Sequence, residues 1–282
     1  MTGLKRSKDI SSIIVRVQTR LLLAAVLVLG SLAVSGCATG PGATATRAAA
    51  DVLLPVAEEE KLGRQMRPEV LKEFKILDNA EVQNYVKNLG AKVVRAAGNK
   101  PNGITYTFAV IDGNEVNAFT TPGGDIFIYT GLIKAASNEA ELVSVISHEV
   151  AHVTNRHIAE RLVASYGLQT LLDAALGRNA GTLAQLTASL GAQGYLLKYS
   201  RDHETEADAS GLQYMTRAGY NPQGFVTFFQ KLQSRGGGGV EFLSSHPLPE
   251  SRIKNAREII SKMGSKPTEL GEASLQEIKK KL

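Results

Sequence analysis

Residues 148–152 read HEVAH, two histidines four apart with a glutamate beside the first. The chain has five histidines in 282 residues, and an HExxH match arises by chance in roughly one such chain in a few hundred, so it needs structural context. The flanking residues supply it. Asn138, with Glu141 three residues on, forms a plausible capping pair, and Leu142, Val145, Ile146, Val150 and Val153 recur at helical spacing. HEVAH thus lies on a buried helix. Histidines at i and i+4 share a face about 6 Å apart along the axis, within reach of one ion. Two imidazoles and a carboxylate on such a helix are costly without partners. They hold a metal, or they are satisfied by hydrogen bonds alone.

Outward from this helix the pattern is mixed. Residues 58–97 are helical, with Val82, Tyr85, Val86, Leu89 and Val93 at three- and four-residue spacing. Residues 104–111 alternate Ile104, Tyr106, Phe108 and Val110 in a strand pattern. Extended runs follow at 115–121 and 126–130, separated by Pro122-Gly123-Gly124. Everything after Leu132 is mainly helical, with the glycine run 236–239 as the clear break. The expected fold is α+β: one mainly helical domain over residues 58–265 with a small sheet, then a C-terminal tail or helix at 266–282.

A catalytic zinc takes three protein ligands and leaves one place for water. His157 does not supply the third: at 100° per residue along one continuous helix it points about 180° away from His148 and reads as a surface residue. Glu160 is displaced both around and along the helix. The better candidate lies in SRDHETEADASG, residues 200–211. Glu204 and Asp208 are one turn apart, and Ala207 and Gly211 permit close approach of a neighbour. One carboxylate would complete the metal's ligands, and the other would accept the free N–H of a ligand histidine. The alternative, a solvated acidic helix start, fits Asp202 and Glu206.

HEVAH followed some fifty residues later by Ser200-Arg201-Asp202-His203-Glu204-Thr205-Glu206-Ala207-Asp208 resembles the HtpX/Ste24-type gluzincin zinc metallopeptidases, in particular their soluble lipoprotein and periplasmic branch. The likeness extends to NAFTTPGGDIFIYTGL, 117–132, and SHPLPESRI, 245–253, covering roughly residues 58–263. It implies a zinc endopeptidase. His148, His152 and Glu204 would bind one Zn2+ per chain, Glu149 would act as general base and acid, and Asp208 would support a ligand. An edge strand matching Asn117, Ala118 and Phe119 would line the cleft and pair with substrate backbone. His246 would either stabilise the oxyanion or act as a fourth ligand that blocks water. Arg252, in the same motif, would secure that loop by a salt bridge. Residues 166–199 read as packing helices or a mobile lid. HtpX and Ste24 span the membrane several times, whereas no apolar run after residue 36 is long enough to do so. Their membrane substrates are therefore not carried over.

The N-terminus explains the formal charge of +5. Lys5, Arg6, Lys8, Arg16 and Arg20 precede the uncharged apolar stretch 21–35, which ends in Val34-Ser35-Gly36-Cys37. This reads as a lipoprotein signal over 1–36. Cys37, the only cysteine, would carry the lipid, and 37–57 would form a tether. Without the signal the charge is about +1, so the basic balance belongs to targeting and gives no reason to expect a nucleic-acid partner. Ala38 after the cysteine favours, by resemblance, the outer membrane facing the periplasm. The expected partners are unfolded or misassembled envelope polypeptides and the outer-membrane assembly machinery. The rival reading is a zinc-containing periplasmic chaperone or assembly factor that binds clients without cutting them.

Overall fold

The computed structural model describes residues 54–282, apart from 100, 102, 180, 183, 186–198, 235–240 and 247–249. The signal, Cys37 and most of the tether therefore lie outside the described residues, as do the glycine run and much of 166–199.

Strand β3 (Asp125–Tyr129) is the centre of a three-stranded sheet of order β1-β3-β2. β1 (Thr107–Ile111) pairs with it in parallel, Thr107 opposite Asp125, and β2 (Ala118–Thr120) antiparallel, Phe119 opposite Phe127. The strands are shorter than the alternating runs in the sequence because β3 offers five residues to pair with. Their period of two sorts side chains onto two faces. Phe108, Val110, Ala118, Ile126 and Ile128 enter the larger core, while Ile111, Phe119, Phe127 and Tyr129 enter a smaller one. Between β2 and β3, Gly123 and Gly124 take φ of 80° and 88°, which favour glycine.

The C-terminal half of β1 is covered on its outer edge. Gln83 donates from Nε2 to the Val110 carbonyl at 3.0 Å and accepts from the Val110 amide at 2.9 Å, and Leu77 N–H donates to the same carbonyl. A side-chain amide here stands in for a strand.

Helices α1 (Val56–Glu73) and α2 (Ala80–Ala96) precede the sheet, and α3 (Thr130–Ala135) follows it directly. Next come α4 (Glu139–Thr154), α5 (His157–Tyr166), α6 (Leu168–Ala175) and α7 (Arg201–Arg217). The chain continues through α8 (Gln223–Ser234), α9 (Glu241–Ser245), α10 (Glu250–Lys262) and α11 (Glu272–Lys279). The fold is α+β, as the periodicities indicated.

The central element is α4. Every residue from Glu139 to Val153 is buried, so α4 is surrounded, packing against α2, α7, α8 and β2. Each buried Leu, Ile or Val contributes about 1.5–3 kcal/mol, which lets the helix tolerate buried polar groups provided they find partners. Its start is tied down twice. Asn138 Oδ1 accepts the Glu141 amide at 2.9 Å, and the Leu270 carbonyl accepts the otherwise orphan Ala140 amide at 3.0 Å. The capping pair is not reciprocal: Glu141 Oε2 accepts from Ser137 N–H, one residue before the cap. Residues 266–282 pack against this region, with Leu275 and Ile278 in the larger core. No described helix is long and apolar enough to cross a membrane.

Candidate metal centre

Helix α7 crosses α4 where neither has bulk. A Cβ on Gly211 would come within 3.2 Å of Ser147 C and O and of His148 N, so the two backbones touch there. That approach brings the first turn of α7, capped by Ser200 accepting the His203 amide, over HEVAH. One ligand atom from each of His148, His152, Glu204 and His246 falls within 4.8 Å of the others, and all four side chains are buried.

The separations within the cluster suit a bound metal ion. His148 Nε2 lies 3.0 Å from His152 Nε2 and 3.4 Å from Glu204 Oε2, and His152 Nε2 lies 3.6 Å from Glu204 Oε1. Donors bonded at 2.0–2.1 Å around a tetrahedral ion stand about 3.3 Å apart. Two imidazoles and a carboxylate are also the donor set that zinc takes, so these residues fit it. His246 Nδ1 sits 3.2 Å from His148 Nε2 and 2.9 Å from Glu204 Oε1, at a fourth corner. Phe242 stacks on its ring, with centroids 4.5 Å apart.

Glu149 is fully buried beside this cluster. Its Oε1 is 3.4 Å from His246 Nε2, yet neither carboxylate oxygen makes a hydrogen bond. Burial pushes its pKa up, against the pull of His246 and His148. Glu204 shows the reverse balance: burial opposes its charge, but His246 and His148 outweigh it and hold the carboxyl well below the ordinary value. Burial also pulls His148 down, but its interactions with the acceptor carboxylates of Asp208 and Glu204 prevail and push it up to about 9. Burial and the charge of His148 hold His152 well below 6.5.

Behind the donors lies a second set of contacts. Asp208 Oδ1 is 3.0 Å from His148 Nδ1. Arg252 of α10 grips Asp208 with Nε at 2.7 Å and Nη2 at 2.6 Å, and reaches Glu204 Oε2 with Nη1 at 2.6 Å. The same Nη1 donates to the His246 carbonyl at 3.5 Å, so Arg252 joins the carboxylates of α7 to the His246 loop.

His157 corrects the surface position expected from the helical wheel: it is fully buried, with Nδ1 2.9 Å from His152 Nδ1. The wheel assumed an unbroken helix. Instead α4 ends at Thr154, and Arg156 turns the chain at φ 59°, a left-handed conformation that costs an L-residue roughly 1–2 kcal/mol. The strain is offset by burial of the Arg156 guanidinium against Glu59 Oε2, at 3.0 Å and 3.2 Å, and against the Leu54 carbonyl. The redirected chain starts α5 at His157 and faces it back toward the cluster. Beyond it, His157 Nε2 is 3.3 Å from Glu206 Oε2, and its ring stacks on His203, whose Nε2 pairs with Glu160 at 3.1 Å. Burial lowers the His157 pKa despite Glu206. All five histidines therefore belong to one assembly. Tyr199 was also absent from the expected set; its ring stacks on His152 at 3.7 Å.

Asn117, Ala118 and Phe119 enter and form β2, an edge of the sheet. The register turns Asn117, Phe119 and Thr121 toward β3, so the peptide groups of Ala118 and Thr120 point away from it, and both residues are fully buried. Asn117 Oδ1 accepts from Ala118 N–H at 2.9 Å. The Phe119 side chain is committed to the smaller core, stacked on Phe127 at 5.0 Å.

An HExxH helix completed by a glutamate from a second helix defines a gluzincin-type metallopeptidase domain. The chain belongs to peptidase family M48, whose model matches residues 80–260. It is similar to the beta-barrel assembly-enhancing protease of Escherichia coli K12, 30% identical over 223 residues, 74% of this chain and 45% of that protein. It is also similar to metalloprotease YcaL of the same organism, 35% identical over 182 residues covering 63% and 70% of the two chains. The mitochondrial metalloendopeptidase OMA1 of Arabidopsis thaliana is 33% identical over 184 residues, 65% of this chain and 37% of that one. The chain thus spans about half the length of several curated relatives it matches.

Proposed function

We propose that this chain is a zinc-dependent endopeptidase, anchored through Cys37 as an outer-membrane lipoprotein facing the periplasm, that cuts misfolded or misassembled envelope proteins. The observation that carries the reading is the convergence of His148, His152 and Glu204 beside a Glu149 whose two carboxylate oxygens make no hydrogen bond. A purely structural zinc site has no use for such a carboxylate. The residues before Cys37 support the anchor, and the printed name of the assembly-enhancing relative supports both the substrate class and a link to outer-membrane assembly machinery.

His148, His152 and Glu204 would hold one zinc ion, which would supply Lewis acidity to water and to a peptide carbonyl. Glu149, its pKa raised by burial, takes the proton of the attacking water and delivers it to the departing amine. Asp208, 3.0 Å from His148 Nδ1, would take the hydrogen of that nitrogen and leave Nε2 free for the ion. His246 fills the fourth corner in this conformation and must swing away before substrate is admitted. Extended segments would pair with the backbone of β2 once it is uncovered, a mode with little demand on side-chain sequence.

The test compares zinc-loaded parent protein with Glu149→Gln on casein, each also made in a His246→Ala background so that a closed resting site cannot mask turnover. Glu149→Gln should keep its zinc and lose about 100-fold or more in cleavage. Equal cleavage by both, or none by either in both backgrounds, would overturn the peptidase reading in favour of a non-cutting chaperone.

A further inference from the structure

We infer that His157 is a positioning residue for the metal: it fixes which nitrogen of His152 carries a proton and so keeps the other free for zinc. The inference rests on the zinc reading above and adds to it a residue outside the HExxH motif and its glutamate.

The argument is one of hydrogen counting. Two ring nitrogens 2.9 Å apart, His152 Nδ1 and His157 Nδ1, cannot both carry hydrogen, and if neither does they repel. His152 presents Nε2 to the donor cluster, 3.0 Å from His148 Nε2, and a metal there needs that nitrogen bare. Its hydrogen is then on Nδ1, which donates to His157 Nδ1. His157, accepting at Nδ1, carries its own hydrogen on Nε2, which donates to Glu206 Oε2 at 3.3 Å. Each link determines the next, from a carboxylate that is 40% exposed to a ring that is fully buried.

The rings are also held in orientation. His157 lies against His203 with centroids 4.4 Å apart and planes 15° from parallel, while Tyr199 stacks on His152 at 3.7 Å and 19°. The two ligand histidines are thereby supported by unlike groups: His148 by the carboxylate of Asp208, His152 by an imidazole acting as acceptor. The imidazole acceptor is delivered by the strained turn at Arg156 rather than by α4 itself.

The test uses the full chain with zinc and a competing chromophoric chelator, reading the zinc dissociation constant. His157→Ala should weaken binding by about 10–100-fold. His157→Asn places an amide oxygen where Nδ1 sits and should stay within a few-fold of the parent. Thermal unfolding of the zinc-free forms separates loss of metal support from loss of fold. Parent-like affinity in His157→Ala, or His157→Asn as weak as His157→Ala, overturns the inference. If the alanine variant does not fold, the nitrogen NMR spectrum of the zinc-loaded parent decides. The hydrogen of His157 on Nε2 is expected, and finding it on Nδ1 overturns the proposal. A parent protein that binds no zinc refutes the zinc reading instead.

Discussion

Arg252→Met tests whether the guanidinium clamps the carboxylates behind the metal site. Arg252 is 2% exposed, Glu204 1% and Asp208 4%, and three of the contacts among them are 2.7 Å or shorter. Methionine retains the packing of the arginine stem and removes the charge, the donors and the guanidinium that lies 5.0 Å over the Phe229 ring. Two buried carboxylates then lose their shared cation. Breaking one side of such a pair costs about 3–5 kcal/mol, far above the roughly 0–1 kcal/mol of a solvated ion pair. Urea unfolding of the zinc-free protein reads this directly. With a slope of about 3 kcal/mol/M, the midpoint should fall by about 1–1.7 M. Asp208→Asn combined with Arg252→Met should cost at least about 1 kcal/mol less than the sum of the single changes, because the double variant leaves one carboxylate fewer without its partner. A single-variant loss below about 1 kcal/mol, or strict additivity, would refute the clamp.

His246→Ala should raise casein cleavage several-fold in zinc-loaded protein, because the fourth corner is vacated; a fall in rate would instead place His246 on the oxyanion. Gly211→Val drives a branched side chain into Ser147 and His148, already 3.2 Å from a bare Cβ. The expected loss is about 1–3 kcal/mol of stability together with weaker zinc binding as α7 is pushed from α4, read by thermal melting and chelator competition. Asn138→Ala removes the cap of α4 and should cost about 1 kcal/mol, lowering Tm by about 2–4 °C with zinc stoichiometry unchanged.

What could be read in the sequence follows from which interactions are local. The i, i+4 histidines, the Asn138 cap and the alternation through Phe108 and Val110 depend on neighbours along the chain, and residue spacing alone exposes them. Glu204 was accessible because its companion Asp208 and the small Ala207 and Gly211 repeat on one helical face. His157 was misread because its position depends on one dihedral angle, at Arg156, and no residue type announces a left-handed arginine. The compensating partner, Glu59, is 97 residues away. Tyr199 and the reach of Arg252 to both carboxylates are equally non-local, set by how α7 and α10 dock onto α4 rather than by any motif. Strand lengths were overestimated for a related reason: alternation shows where a chain can be extended, whereas pairing ends where the partner strand ends.

Gln83 has a consequence for the company this protein keeps. By engaging both polar groups of Val110, it occupies the template that bare strand margins present to any unfolded neighbour. If the proposed substrates are unfolded envelope chains, a bare margin here would risk pairing with them away from the site. With Val110 engaged by a side chain, the outer edge of β1 offers less to a passing strand than it would bare.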